Sequence, residues 1–329
     1  MDHWDRYPDP SCKKLRQAIS RYHQVPERTI LCGNGAADLI YRLAQVRKPK
    51  RALVLAPSFL EYELALKSVS CEIQYFYLEE KNQFAPDMER LTAALSDGPE
   101  MLFFCNPNNP TGRGVKKDQI ERLAEACHRH HVFLVLDECF CEFLDRPEEY
   151  SLMDRAAKAS DCMVLKAFTK TYGMAGLRLG YVVCGGEDLL SGMEQAGQPW
   201  GVSVPAQEAG VAALEETEYL IRAREIIRIQ QKKLAAGLER LGFRVYPPEA
   251  NFVLFRDETE EKTAAAEAPG RIPGRLWQEC LRYGILIRDC GNFKGLETGY
   301  YRVCVRTEQE NQILLDTLEK IGIMEKERY

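Results

Sequence analysis

Lys170 sits in the run Ala167-Phe168-Thr169-Lys170-Thr171-Tyr172-Gly173-Met174-Ala175-Gly176-Leu177-Arg178, with a hydroxyl residue directly before it and an arginine beyond a small, Gly-containing turn. Upstream stand Asn106-Pro107-Asn108-Asn109-Pro110-Thr111-Gly112 and the acid pair Asp137-Glu138. A lysine can condense with an aldehyde when desolvation and neighbouring positive charge favour its neutral amine. Lys166 competes for that role, and Lys170 is preferred for its place in the turn and its spacing to Arg178. Arg178 and Thr169 suit a phosphate, the arginine by bidentate contact and fixed charge. Asp137 closes the apolar run Val132–Leu136. A carboxylate there is costly without a partner, and a protonated pyridine nitrogen is one. Glu138 reads as a structural hydrogen-bonding group.

Other residues could complete such a site. Asn106 is the first residue after the apolar run Met101–Cys105 and can donate to an oxyanion from a rigid loop at the end of a strand, where open α/β sheets bind ligands. Gly33-Asn34-Gly35-Ala36-Ala37-Asp38 opens a helix, so its free N–H groups either receive a phosphate or merely start the helix. Tyr62 and Phe59 lie one helical turn apart, and either could stack on a planar ring. Arg288 and Arg302 fall in strand-like runs and suit a substrate bearing both a carboxylate and a phosphate, whereas Arg306 reads as surface charge. His128-Arg129-His130-His131 reads as a helix end rather than a metal site, and Cys139 and Cys141 lack a second ligand pair. An amine, an amide, a carboxylate and an arginine in this order are what holds pyridoxal phosphate and reacts through it.

The elements that must position these residues alternate from about residue 30 to 185. Helices are predicted at Gly35–Val46, Phe59–Val69, Pro86–Leu95 and Lys116–His130. Strands are predicted at Arg51–Ala56, Glu72–Tyr77, Met101–Cys105, Val132–Leu136 and Cys162–Lys166. Continuous apolar strands between helices imply an α/β architecture with a parallel sheet buried on both faces. One long helix is predicted from Pro205 to about Leu241. It leads to a smaller α+β domain with strands at Phe252–Phe255, Gly284–Arg288 and Tyr300–Val305 and helices at Arg275–Tyr283 and from Thr307, where Thr307 and Glu310 form a capping box. Asp257–Gly274 reads as an exposed, mobile loop. The expected division is a cofactor-binding domain over 25–215, and a small domain made of 1–24 with 216–329.

The 329 residues carry a net charge of −5 and a pI near 5.8, which argues against nucleic acid as a partner. No apolar run is long enough for a membrane span, and the charged start is not a secretory signal. Twelve scattered cysteines without a C-x-x-C pair suit a reducing cytoplasm.

The succession Gly-Asn-Gly, Asn-Pro-Asn-Asn-Pro-Thr-Gly, Asp-Glu-x-Phe, Thr-Lys and Gly-Leu-Arg-Leu-Gly-Tyr resembles the class I/II aminotransferase superfamily over nearly the whole chain. Within it the chain is similar to the branch of histidinol-phosphate aminotransferase and threonine-phosphate decarboxylase, as is Tyr7-Pro8-Asp9-Pro10. Ile287-Arg288-Asp289-Cys290-Gly291-Asn292-Phe293-Lys294-Gly295-Leu296 and Phe140, where the aminotransferase usually has tyrosine, resemble the decarboxylase.

The resemblance implies a fold type I pyridoxal-phosphate-dependent transferase: a large domain with a mixed, mostly parallel sheet covered by helices, plus a smaller α+β domain. It implies pyridoxal 5'-phosphate joined to Lys170, Asp137 on the pyridine nitrogen, Asn106 on the phenolic oxygen and Tyr62 stacked on the ring. Arg178, Thr169 and the amides of Gly35 and Ala36 hold the phosphate. Tyr7 reaches the phosphate of a partner subunit, so a homodimer with shared sites is expected. Arg302 takes the substrate carboxylate and Arg288 its distal phosphate. The implied activity is decarboxylation of a phosphorylated amino acid, with transamination as the alternative.

Two departures bear on this. Ala167 stands where the family usually has Ser or Thr, which removes one hydrogen bond of about 1 kcal/mol. The glycine- and asparagine-containing arm that the family places over the substrate has no counterpart before Tyr7, which is expected to affect substrate affinity more than cofactor binding. A non-catalytic cofactor-binding homologue is the rival reading. A nicotinamide oxidoreductase is disfavoured by the glycine pattern.

Overall fold

A computed structural model describes residues 5–260 and 273–326. The strands of the large sheet are β1 (Ile30–Gly33), β2 (Arg51–Ala56), β3 (Glu72–Tyr77), β4 (Met101–Cys105), β5 (Phe133–Asp137), β6 (Cys162–Ala167) and β7 (Gly180–Val183). They lie in the order β1-β7-β6-β5-β4-β2-β3. From β6 to β3 all pairs are parallel, and β7 runs antiparallel to both of its neighbours. Strands β4, β5 and β6 are buried along their whole length, the environment for which continuous apolar runs are suited.

Helices α1 (Lys13–His23), α2 (Gly35–Arg47), α3 (Leu60–Ser68), α4 (Met88–Ala94), α5 (Lys117–Arg129), α6 (Met153–Ala156), α7 (Phe168–Thr171), α8 (Glu187–Gln195) and α9 (Val204–Glu215) flank this sheet. Helices α1, α4, α5, α6 and α9 pack into one core; α2, α3 and α8 pack into the other. In α5, Ile120, Leu123, Ala124 and Cys127 are buried, an i, i+3, i+4, i+7 stripe that fits an amphipathic helix on a sheet.

Helix α10 (Thr217–Arg240) leads to the second unit, built from β8 (Arg244–Val245), β9 (Phe252–Arg256), α11 (Arg275–Arg282), β10 (Arg288–Asp289), β11 (Tyr300–Cys304) and α12 (Glu308–Lys326). Its antiparallel sheet has the order β10-β11-β9-β8. Leu234 and Leu238 of α10 join its core, while near the helix's other end Arg224 Nη1 donates to the Glu142 carbonyl of the large unit at 3.3 Å. Glu80 also joins the two units, accepting from Tyr246 Oη at 2.5 Å and Arg256 Nη1 at 3.1 Å.

Several predicted boundaries shift for physical reasons. Asp87, not Pro86, begins α4, because its carboxylate caps the amides of Glu89 and Arg90 at 3.2 and 3.0 Å, as an N-cap does. The single helix expected from Pro205 is two, interrupted at Glu216, whose ψ of 66° is not helical. The strand expected over Gly284–Arg288 shrinks to β10, with Gly284 in a turn at φ +73°. The Thr307–Glu310 capping box forms as expected, with reciprocal bonds of 3.4 and 3.3 Å. Residues 261–272 of the expected mobile loop lie outside the described residues.

The expectation that residues 1–24 pack with the small domain is corrected over the described stretch. Helix α1 packs on α9 and β1, with Leu15 and Ile19 fully buried in the large-unit core. Gly210 on α9 makes the approach close, since a Cβ there would lie 2.8 Å from Leu15 Cδ1. Leu15→Ala is therefore expected to cost about 2–5 kcal/mol, read as a lowered urea midpoint at unchanged slope. A loss within ~0.5 kcal/mol, the range of an unremarkable surface substitution, would contradict the packing of α1.

Candidate active site

The carboxyl ends of the central parallel strands converge on one region. β2 ends at Ala56 before Phe59, β4 before the Asn-Pro loop, β5 at Asp137, and β6 runs directly into α7 with Lys170. That is the end of an open α/β sheet where ligands bind.

Asp137 is buried, and its carboxylate accepts from Tyr62 Oη at 2.5 Å and from the Cys139 amide at 3.0 Å. This corrects the role expected of Tyr62. Its ring is fully buried and stacked on Phe103, with centroids 4.8 Å apart and planes 17° apart, so neither face is open to a ligand. Burial and the neighbouring Asp137 push its phenol well above the ordinary value, which keeps it a neutral donor that orients the carboxylate. Of the two aromatic candidates, Phe59 is the one left half-buried, edge-on to Tyr62 at 5.5 Å.

Lys170 projects from α7 as an exposed amine, its Nζ 6.0 Å from the centre of the Phe140 ring. The competing amine is disqualified. Lys166 is buried and ion-paired to Glu138 at 3.1 Å and Glu142 at 3.0 Å. Burial works against its charge, but Glu142, Cys141 and Glu138 hold it well above the ordinary value, so it stays a cation. Glu138 also accepts from Ser151 Oγ at 2.6 Å and the Leu152 amide at 2.9 Å, in keeping with a structural role. Beside this cluster His23 meets Tyr181 Oη at 2.6 Å, and burial, then Lys166, lowers its pKa to about 4.

Arg178, Gly35 and Ala36 meet at the start of α2. Gly35 has φ +82° and Arg178 φ +55°. A Cβ on Gly35 would lie 2.7 Å from Arg178 Nη2, and one on Gly180 would lie 2.7 Å from the Ala36 amide nitrogen. The opening amides of a helix have no acceptor within it, so this glycine-lined cradle offers N–H groups and a guanidinium to an anion. Thr169 lies buried on α7 one residue before Lys170, and Ala167 is buried at the start of that helix without a side-chain cap.

Asn106 does not have the role expected of it. It is fully buried, and its amide donates to the Val115 and Tyr150 carbonyls at 3.0 and 3.1 Å and accepts from the Val115 amide at 2.8 Å. Both of its N–H groups are thereby used in fastening the loop. Asn109 is the amide that sequence reasoning missed: its Oδ1 accepts from Arg302 Nη1. The Asn-Asn pair ahead of Pro-Thr-Gly was the available signal, and preference for the first residue after the strand obscured it. Asn108 braces the loop by donating to the Pro57 carbonyl and Thr111 Oγ1, each at 3.0 Å.

Arg302 stacks over Phe252 at 4.9 Å, and Phe252 meets Phe140 edge-on at 5.1 Å. A run of aromatic contacts thus joins the surroundings of Lys170 to this guanidinium. Arg288 lies directly opposite Arg302 in the β10–β11 register. It donates to Asn292 Oδ1 at 2.9 Å and lies 5.2 Å over Phe293. Among the described residues neither arginine has a carboxylate partner. Burial first, and Arg288 as well, lower the pKa of Arg302.

Arg306 is paired with Glu310 at 2.6 Å on the surface, as read from the sequence. Tyr7 is 80 % exposed and lies against Trp200, with centroids 4.8 Å apart. Among the described residues no group of three or more His, Cys, Asp or Glu could hold a metal ion, and no helix is long and apolar enough to cross a membrane. His128 at the end of α5 meets Asp161 at 2.6 Å.

The family model described as "Aminotransferase class I and II" matches residues 1–318. The chain belongs to this family. Threonine-phosphate decarboxylase of Salmonella typhimurium is 34 % identical over 322 residues, which cover 98 % of this chain and 84 % of that protein. Among solved structures, the histidinol-phosphate aminotransferase from Clostridium acetobutylicum superposes with a TM-score of 0.86 at 27 % identity, covering 96 % of this chain and 90 % of that one. The L-threonine-O-3-phosphate decarboxylase from Porphyromonas gingivalis superposes with a TM-score of 0.81 at 28 % identity, with the same coverage of 96 % and 90 %. The fold is that of the type I pyridoxal-phosphate-dependent transferases, a mixed large sheet with a small antiparallel domain, and the family's cofactor is pyridoxal 5'-phosphate. The residues present fit it: a cradle at Gly35 with Arg178 for the phosphate, a buried carboxylate at Asp137 for a cationic ring nitrogen, and an accessible amine at Lys170.

The two asparagines are expected to separate by experiment. Asn106→Ala leaves buried carbonyl and amide groups unpaired and should cost about 2 kcal/mol or more, seen in denaturant melts. Asn109→Ala should lower cofactor-dependent turnover at least tenfold with stability changed by under about 1 kcal/mol. The reverse pattern would restore Asn106 to the site.

His23 supplies a pH test. Its folded pKa lies below the unfolded value of 6.5, at about 4, so its contribution to stability is present above 6.5 and lost as pH falls through that window. His23→Gln should flatten the pH dependence of the urea midpoint there, and an unchanged profile would contradict the half-buried neutral imidazole.

Proposed function

We propose that the chain is a pyridoxal-phosphate-dependent enzyme that decarboxylates a small phosphorylated amino acid, most like L-threonine O-3-phosphate. The reading is carried by the two arginines facing each other across β10 and β11 without carboxylate partners among the described residues. Like charges directly opposite on a sheet are unfavourable, and a substrate with two anionic groups answers both. The likeness to threonine-phosphate decarboxylase supports the same substrate class. Amino-group transfer is the second reading, favoured by the likeness to histidinol-phosphate aminotransferase and compatible with the same residues.

When bound, the cofactor supplies an electron sink for the bond that breaks at the substrate α-carbon. The chain's own residues decide which bond that is. Asp137, oriented by Tyr62, balances the ring nitrogen. Arg302 with Asn109 takes the α-carboxylate, and Arg288 takes the distal phosphate. Contacts that favour loss of the carboxylate would release CO2, with a proton returned to the α-carbon from the side on which the Lys170 amine stands, leaving an amino alcohol phosphate. Contacts that favour loss of the α-hydrogen would make the Lys170 amine the base that takes that proton, and the amino group would pass finally to a keto acid.

The exposed Tyr7–Trp200 aromatic pair supports a homodimer in which Tyr7 reaches the partner's cofactor phosphate, since exposed apolar patches mark interaction sites. Eleven buried free thiols suit a reducing cytoplasm.

Purified protein loaded with pyridoxal phosphate is expected to release CO2 from L-threonine O-3-phosphate, with stoichiometric amino alcohol phosphate. Keto-acid-dependent amine transfer without CO2 would establish the second reading. Lys170→Ala should abolish either activity together with the visible absorbance of the loaded protein. Retention of colour and turnover in that variant would overturn both.

A further inference from the structure

Asp38 and Arg42, one turn apart on α2, occupy a place that the cofactor chemistry leaves unexplained. The Asp38 carboxylate accepts from the Asn34 amide at 2.8 Å, inside the turn that opens the phosphate cradle. The same carboxylate takes Arg42 through Nε at 2.8 Å and through Nη2 at 2.7 Å. An exposed i, i+4 pair contributes only about 0.3–0.5 kcal/mol. This one differs because the arginine side chain is only 8 % exposed and two glycines from elsewhere in the chain clear space for it.

A Cβ on Gly197 would lie 2.1 Å from Arg42 Nη1, and one on Gly201 would lie 3.1 Å from Nη2. Neither glycine has a positive φ, so what they provide is room. The guanidinium therefore fills the underside of the 197–201 segment. That segment carries Trp200, held at φ +57° and in contact with Tyr7. Gln207 fastens the same neighbourhood, donating to the Asp9 carbonyl at 2.9 Å and the Val202 carbonyl at 3.0 Å.

We propose that Arg42, clamped by Asp38, is a positioning residue for the cofactor-phosphate site: it fixes the Asn34–Gly35 turn on one side and the 197–201 segment, with Trp200 and Tyr7, on the other. The proposal rests on the reading that the Gly35 and Ala36 amides receive the cofactor phosphate. Its logic is that a phosphate cradle binds well only if its amides are held in place before the ligand arrives.

The test is titration of the apo-protein with pyridoxal phosphate, followed by absorbance and tryptophan fluorescence, beside apo-protein melting and sedimentation. Arg42→Met is expected to raise the Kd about tenfold or more, equivalent to about 1.4 kcal/mol. Arg42→Lys, which keeps the charge but loses the planar fork, should fall between it and the parent. Gly197→Ala leaves α2 intact, yet its Cβ displaces the guanidinium from beyond the ion pair, and it too should raise the Kd several-fold. Arg42→Lys and Gly197→Ala carry the test if Arg42→Met does not fold. Unchanged Kd in both, or a lowered apo melting temperature with Kd unchanged, would reduce Arg42 to a packing role and overturn the proposal. A parent protein that binds no pyridoxal phosphate would instead overturn the underlying reading of the cradle.

Discussion

A buried carboxylate with no ion-pair partner among the described residues organises this molecule. Asp137 ends β5 inside the core, and its hydrogen bonds come from a phenol and a backbone amide, both neutral. The next two acids in sequence, Glu138 and Glu142, lie close by and share Lys166. The lysine is thus committed to the structural pair, while the Asp137 carboxylate is left with neutral hydrogen-bond donors, an arrangement that suits the proposed contact with a heterocyclic nitrogen. Removing one partner of a buried pair is strongly destabilising, so Lys166 is as fixed in its task as Lys170 is free for its own.

The remaining parts converge on that carboxylate because the parallel strands end side by side. Asp137, the loop from Asn106 to Gly112, Phe59 and Lys170 come from different strands but reach one rim of the sheet. The second unit brings Arg302 to the same place through Phe252 and Phe140. Glu80 and α10 tie the two units together, so the arginines are carried on a unit that contacts the large unit at several points.

Much of this was legible in the residues. Strands such as Arg51–Ala56 and Met101–Cys105 declare themselves because burial on both faces demands uninterrupted apolar runs. The order of amine, carboxylate and arginine likewise marks a cofactor site whatever the fold. Side-chain direction was not legible. Phe59, the N-cap of α3, and Tyr62 within it are three residues apart, and Phe103 on β4, remote in sequence, is what covers the Tyr62 ring. Asn106 and Asn109 share a loop, and only its folded path shows which amide is spent on the backbone. The short elements β1, β7 and α7 escaped because four residues carry too little periodicity, and α1 was assigned to the wrong unit because nothing local reveals which core its apolar stripe enters.

The opposition of Arg288 and Arg302 implies a particular kind of selectivity. Under the proposed roles, a ligand bearing one negative group would answer one guanidinium and leave the other facing a like charge across a 2-residue strand. Short monoanionic amino acids would then be disfavoured by residual repulsion without a steric gate. Such discrimination weakens as ionic strength rises, because mobile anions screen the second arginine in place of the missing phosphate.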